Sequence, residues 1–353
     1  MDETNSFMDE ISYDEIQSMM DNALGNNTFD FGEYVGRLVN GDTAFSGQEF
    51  IHTVINGLQD NFIQERQSYL SLIMLALMGA VLANFSKLLQ GKEVAGMAFY
   101  SVYMIFFSVL AAAFAQLNGV AQDALGRLFD FMKVLAPAYF MCLSFTQGAA
   151  AGSIYYEFIL VLILFADMVL LNIIMPMIQL YFFLQLANQI SERDLFSKMA
   201  KLIGDIVKLA MKTMIGIVMG INVVQGLILP SVSEMKNNTL VRFSSMVPGV
   251  GNTISNVAGT VLGAGNLVKN AVGVTGVIVV FIMCALPLAK LLLAKLSYQF
   301  MSAIVQPVSD IRIVRCLEAV TETLSMEMYA VGSGCLMFVI SIAIISSMTN
   351  INI

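Results

Sequence analysis

The chain has 353 residues, of which 57% are hydrophobic and only 12% charged, where an ordinary soluble domain carries about 25% charged residues. That composition excludes a water-surrounded globular enzyme as the default class and points to a membrane protein. The net charge of -8 is an N-terminal property: 13 of the 26 acidic residues precede Tyr69, against only Arg37 and Arg66 on the basic side, and such a segment is repelled by nucleic acid and by anionic lipid.

Residues 1–66 form this acidic region. Met1 is followed by acidic residues and not by a charged, apolar and small-residue succession, so no secretory signal peptide is expected at this start. Two readings stand side by side, a solvated arm or a docking segment. Phe50, Ile51, Val54, Ile55, Leu58 and Phe62 recur at helical spacing, which predicts an amphipathic helix ahead of the first span.

Residues 67–350 read as a multi-pass transmembrane domain, all-α. Tyr69 to Leu89, Val94 to Leu117, Met214 to Leu229 and Val272 to Leu293 are long and nearly charge-free, and a hydrocarbon core about 30 Å thick asks for roughly 20 apolar residues per helix. The runs are continuous, whereas barrel strands alternate in polarity over about 10 residues. Asp123, Arg127, Asp130 and Lys133 predict a polar turn before the apolar run Val134 to Ala151. The stretch Ile154 to Ile190 is too long for one crossing, about 55 Å as a helix, and Pro176 inside it predicts a break, hence a hairpin within the membrane. With the acidic arm outside and that hairpin returning to its own side, 11 of the 18 basic residues fall inside, as the positive-inside rule prefers.

The segment 191–212 is a basic amphipathic helix with a capping-box-like start at Ser191 and Asp194. Leu195, Phe196, Met199, Leu202, Ile203, Ile206 and Leu209 share one face; Lys198, Lys201, Lys208 and Lys212 step along the other. It suits either an interfacial helix among inner-leaflet headgroups or a face for a cytoplasmic partner. Segment 230–270 turns to Gly, Ser and Asn, too poor in large apolar residues to face lipid, and is expected to be an outer, re-entrant or self-packing segment. Gly259 and Gly263, Gly216 and Gly220, and Gly148 and Gly152 are GxxxG pairs, the spacing that lets helices approach for packing or oligomerisation.

The four cysteines lack a CxxC partner, and His52 is the one histidine, which excludes HExxH zinc sites and His-rich metal clusters. No GxxxxGK[ST] loop occurs. No catalytic residue, metal or cofactor is expected, and energy would come from a gradient or another subunit. What remains is polar residues in apolar runs, costly at membrane depth. Asp167, Asn172, Asn222 and Gln225 are candidates for an intramembrane polar pathway; interhelical hydrogen bonding is the plainer reading of the amides.

The segment PGVGNTISNVAGTVLGAGNLVKNAVGV from Pro248, with NVVQGLILPSV upstream and IVQPVSDIRIVRCLEAV downstream, resembles the stage III sporulation protein AE family of endospore-forming bacteria, from about Ala136 to the C-terminus. The resemblance implies a polytopic protein in the mother-cell-derived membrane around the forespore, part of a channel or export apparatus between the two cells. Its implied partners are other sporulation-channel membrane proteins, ring-forming proteins between the membranes and a cytoplasmic ATPase; a homo-oligomer is compatible with it. The rival is a secondary transporter with broken helices at Pro176 and Pro287 around Asp167.

Overall fold

The computed structural model describes residues 13–24, 30–40, 70, 74, 92–190, 194–244, 251–307 and 309–347. The expected helix over Phe50 to Phe62 and most of the span Tyr69 to Leu89 lie outside the described residues. Among the described ones every regular element is helical: α1 (Tyr13–Leu24), α2 (Phe31–Val39), α3 (Lys92–Gln147), α4 (Ala149–Val169), a π-turn (Leu170–Ile174), α5 (Met175–Ile190), α6 (Ser197–Ser244), α7 (Gly251–Val305) and α8 (Ile311–Ser347). Five stretches are long and apolar enough to cross a membrane: Tyr103–Ser144, Gly152–Gln189, Ser197–Val224, Gly263–Val305 and Ile311–Ile344. This is the all-α, polytopic bundle that the composition requires.

Cross-helix pairs fix the directions. Tyr103 meets Cys316 and Phe129 meets Phe338, so α3 and α8 run parallel. Lys208 with Glu322 and Asn222 with Ser341 set α6 parallel to them. Phe114 stacks on Phe182 and Tyr139 lies against Tyr155, so α4 and α5 return antiparallel to α3; Asn270 with Ser346 does the same for α7 against α8. Helix α8 packs on α3, α5, α6 and α7 and is the central element. Its span is the most buried of the five, at 50% of its most apolar window. Large apolar side chains such as Val161, Leu164, Met168, Ile217 and Phe281 point outward, as a lipid-facing surface requires.

Three local expectations are corrected. The polar turn at Asp123 to Lys133 is absent: α3 continues through it for 56 residues with Pro137 inside. Its charged side chains lie on the exposed side while Ala121, Leu125, Leu128 and Met132 stay buried, so the stripe is amphipathic and not a break. Nor does the chain fold back at Pro176. The backbone runs helically from Ala149 to Ile190, and Met175 N–H bonds to Leu170 O, one residue wider than an α-turn. That wider turn relieves the clash a proline ring makes with the carbonyl four residues earlier. The reversal sits instead at Gly148, whose φ of 93° belongs to glycine. Just beyond it Gly152 packs so tightly that an added Cβ would lie 3.1 Å from the Phe140 carbonyl oxygen. Third, the basic helix begins at Ser197 and continues into the next span as one uninterrupted helix, so it is the end of a spanning helix, not a separate interfacial one. Of its expected apolar face, Ile203 is buried whereas Leu195, Met199, Leu202, Ile206 and Leu209 are exposed.

The glycine-rich segment 230–270 is helical wherever it is described, as the end of α6 and the start of α7, with 245–250 outside the described residues. The acidic region contributes two docked helices. Asp30 caps α2 by accepting from Glu33 N–H at 2.8 Å, and Gln17 of α1 accepts from Phe31 N–H at 2.9 Å, locking the pair. Ile16, Met20, Phe31 and Val35 are buried; α1 packs on α3 and α2 on α7. Burial pushes the Tyr13 phenol up, with Cys142 adding to it, which locates α1 near the C-terminal end of α3.

Candidate functional site

A polar cluster sits where α3, α5 and α8 meet. Asn118 of α3 donates to Glu327 Oε1 of α8 at 2.7 Å. Its own amide oxygen accepts from Gln122 at 2.9 Å and from Gln179 of α5 at 2.5 Å. Glu327 is 0% exposed and Asn118 is 2% exposed. Each helix brings its polar group inward because apolar neighbours one turn away hold that face against the core: Phe114 and Ala121 around Asn118, Leu324 and Ala330 around Glu327. Such groups are worth retaining only if bonded, and three of the four are amides that bond one another.

The other candidates distribute around this centre. Asp167 lies 3.7 Å from Lys133 of α3, which also holds Asp130 at 3.0 Å; its side chain is 28% exposed. Asn172 is exposed on the π-turn and lines an open cleft with Gln122, Asp123, Arg127 and Asp130. A second hollow on the other flank of Asp123 and Arg127 is bounded by Met283, Pro287 and Lys290 of α7. Asn172 thus lines a charged cleft, and Asp167 stands beside it through Lys133, which also holds the lining Asp130. Asn222 is elsewhere: it is fully buried, donates to Val218 O and Ser341 Oγ at 2.9 Å each, and joins α6 to α8. The side chain of Gln225 lies outside the described ones.

Lys198, Lys201, Lys208 and Lys212 are exposed along the N-terminal half of α6, and Lys208 lies 3.6 Å from Glu322 of α8. The turn into α6 is held by Asn188, which accepts from Phe196 N–H at 2.8 Å and donates to Asp194 at 2.6 Å. The bond from Asn188, with one from Ser197, holds the Asp194 carboxyl below its ordinary value. Nothing approaches the Cβ positions of Gly216, Gly220 or Gly263, so these glycines pack no helix within the subunit; Gly259 lies outside the described side chains. Close approaches occur at Gly152, Gly204, Gly273 and Gly276 instead. Among the described residues no cluster of His, Cys, Asp and Glu could hold a metal ion.

The family model described as Stage III sporulation protein AE matches residues 29–349. The chain belongs to the stage III sporulation protein AE family. It is 25% identical over 317 residues to the Stage III sporulation protein AE of Bacillus subtilis (strain 168), covering 89% of this chain and 79% of that protein. No solved structure matches. The family match begins well before Ala136, where the resemblance read from the sequence starts, and takes in α2 and all five spanning helices. Helix α2 and the central α8 both fall within the stretch matched to the stage III sporulation protein AE family.

Proposed function

We propose that this member of the family is a non-enzymatic membrane component of the sporulation channel or export apparatus between mother cell and forespore, forming all or part of its membrane conduit. The observation that carries the reading is the family match over 29–349 coinciding with a five-helix, lipid-exposed bundle. The proposed setting is the mother-cell-derived membrane around the forespore. The proposed partners are other sporulation-channel membrane proteins, ring-forming proteins between the membranes and a cytoplasmic ATPase.

Two faces support a connector role. Helix α1 lies near Cys142, at the same end of the bundle as the Gly148 reversal and the start of α7. The lysine-rich start of α6 lies at the other end. We assign the first end to the intermembrane side and the second to the cytoplasm. The sidedness deduced from basic residues survives the corrections to the fold, because two changes cancel: α3 is one crossing where two were expected, and α4 with α5 is one crossing where a return was expected. The transporter reading loses its premise, since the helices around Pro176 and Pro287 are both continuous.

The test is cysteine accessibility in sporulating cells with single cysteines replacing Lys198 and Asn252 in a background without the native ones. The expected result is labelling from opposite sides of the membrane, together with co-purification of the other channel proteins. Labelling of both from one side overturns the topology, and substrate flux through the isolated chain in liposomes overturns the channel-subunit reading.

A further inference from the structure

Glu327 has no role in the channel reading, yet among the described residues it is the most enclosed carboxyl group. It sits near the middle of the span Ile311–Ile344 and is 0% exposed. One oxygen accepts from Asn118; the other, Oε2, has no hydrogen-bond partner. Among the described residues it forms no ion pair. Of the charged groups on neighbouring helices, Lys208 of α6 lies by Glu322, Lys133 of α3 by Asp130 and Asp167 of α4, and Lys290 of α7 in the hollow beside Arg127; the fully buried Lys269 of α7 adjoins Asn270, which meets Ser346, 19 residues beyond Glu327 on α8. From α5 only the neutral Gln179 reaches the cluster. A negative charge in that place has one amide donor and no cation, which is a heavily penalised state in a low-dielectric interior.

A second observation gives the carboxyl group an approach. Gln122, bonded to Asn118, also lines the open cleft with Asp123, Arg127, Asp130 and Asn172. Hydrogen-bonded polar groups therefore run from the Glu327 carboxyl, at Oε1, through Asn118 and Gln122 to a charged, open cleft. We propose that Glu327 is a proton-binding site in the core of the bundle, reached from this cleft past Gln122 and Asn118. The proton arrives on water in the cleft and bonds to Oε2; the donor water keeps the electron pair, and the charge of the group goes from -1 to zero. Its loss puts a charge at the junction of α3, α5 and α8 and loosens that junction, so occupancy of the site sets how tightly the central helix packs. The inference goes beyond the channel reading and does not depend on it, because it holds for the isolated subunit.

The experiment uses the full chain in membrane vesicles, treated with the apolar reagent dicyclohexylcarbodiimide, which adds to protonated carboxyl groups inside membranes, and with a water-soluble carbodiimide in parallel. Modified residues are located by peptide mass spectrometry. Glu327 is expected to react with the apolar reagent in preference to the exposed Glu318. The rate should fall by about tenfold per pH unit once the site begins to empty, and Gln122→Leu should slow it. In detergent, the wild-type chain is expected to lose thermal stability as pH rises above the range in which ordinary carboxylates titrate, and Glu327→Gln should flatten that dependence. An unreactive Glu327, a pH-independent rate, or an unchanged pH profile in a folded Glu327→Gln overturns the proposal. If that variant fails to fold, the labelling of the wild-type chain still decides.

Discussion

Asn118 and Glu327, 209 residues apart in sequence, meet at 2.7 Å in the core of the bundle, and the two amides that lean on Asn118 depend on the same contact. Replacing Asn118 by leucine strands all three partners at once. Leaving buried polar groups unpaired costs about 1–3 kcal/mol, so Asn118→Leu should unfold at a clearly lower temperature than the wild-type chain. A thiol-reactive dye reads this directly, because Cys142, Cys284 and Cys316 are buried and unpaired with disulfides until the bundle opens.

The glycines divide into two kinds. Gly152→Val should destabilise by about 1–3 kcal/mol, the usual cost of forcing extra atoms into a filled site, since a Cβ there meets Phe140 and Ser144. Gly216→Ala meets open space and should stabilise the isolated helix by about 0.5–1 kcal/mol. A drop in oligomer size for Gly216→Ala, read by light scattering in detergent, would show instead that this exposed stripe carries a contact between copies.

Asp167 invites removal because it is a charge within an apolar run. Its partner Lys133 is shared with Asp130 and both side chains are partly exposed, and such pairs contribute about 0–1 kcal/mol. Asp167→Asn is therefore expected to shift the unfolding temperature little, and complementation of sporulation by that variant should remain near wild type.

Asn222 and Ser341 tie α6 to α8. A double-mutant cycle with Asn222→Leu and Ser341→Ala should give a coupling of about 0.6 kcal/mol, with about 1.7 as a ceiling, the range found for hydrogen bonds between membrane helices. A coupling of zero would mean that Asn222 is satisfied by its own helix through Val218 alone.

Asp194 supplies a pH test outside the spans. Its carboxyl is held below the ordinary value of 3.8 by the bonds from Asn188 and Ser197, so ionisation favours the folded turn. That contribution is complete above the unfolded value and fades as pH falls through the lower folded one. The protection of Phe196 N–H against hydrogen exchange, measured relative to its intrinsic rate, should fall as pH drops through this range, and Asp194→Asn should remove that fall.

Much of the architecture was legible in the sequence, because long apolar runs without charge have one physical solution in a bilayer. The breaks were less legible. Pro176 and Pro287 read as interruptions, but a proline within a long helix can be absorbed by a local widening, as the bond from Met175 to Leu170 shows, and the pattern of side chains carries no sign of it. Gly148 gave the opposite lesson: it read as half of a GxxxG pair and is the corner. Glu327 was hidden by its neighbours. Glu318 and Glu322 stand close to it in the chain, although it lies about 140° around the helix from Glu322. The residues at its three-, four- and seven-residue spacings, Val320, Thr323, Leu324, Ala330, Val331 and Gly334, are apolar or small, and that was the available signal.

Helix α8 follows in the chain every helix it packs against. Ribosomes therefore deliver α3 to α7 into the membrane before the element that closes their core exists, and Asn118 and Asn222 must wait in lipid without their partners on α8. Assembly of this protein is a late event in its synthesis, and a nascent chain stalled before Ile311 would be a set of inserted helices still waiting for the axis around which they gather.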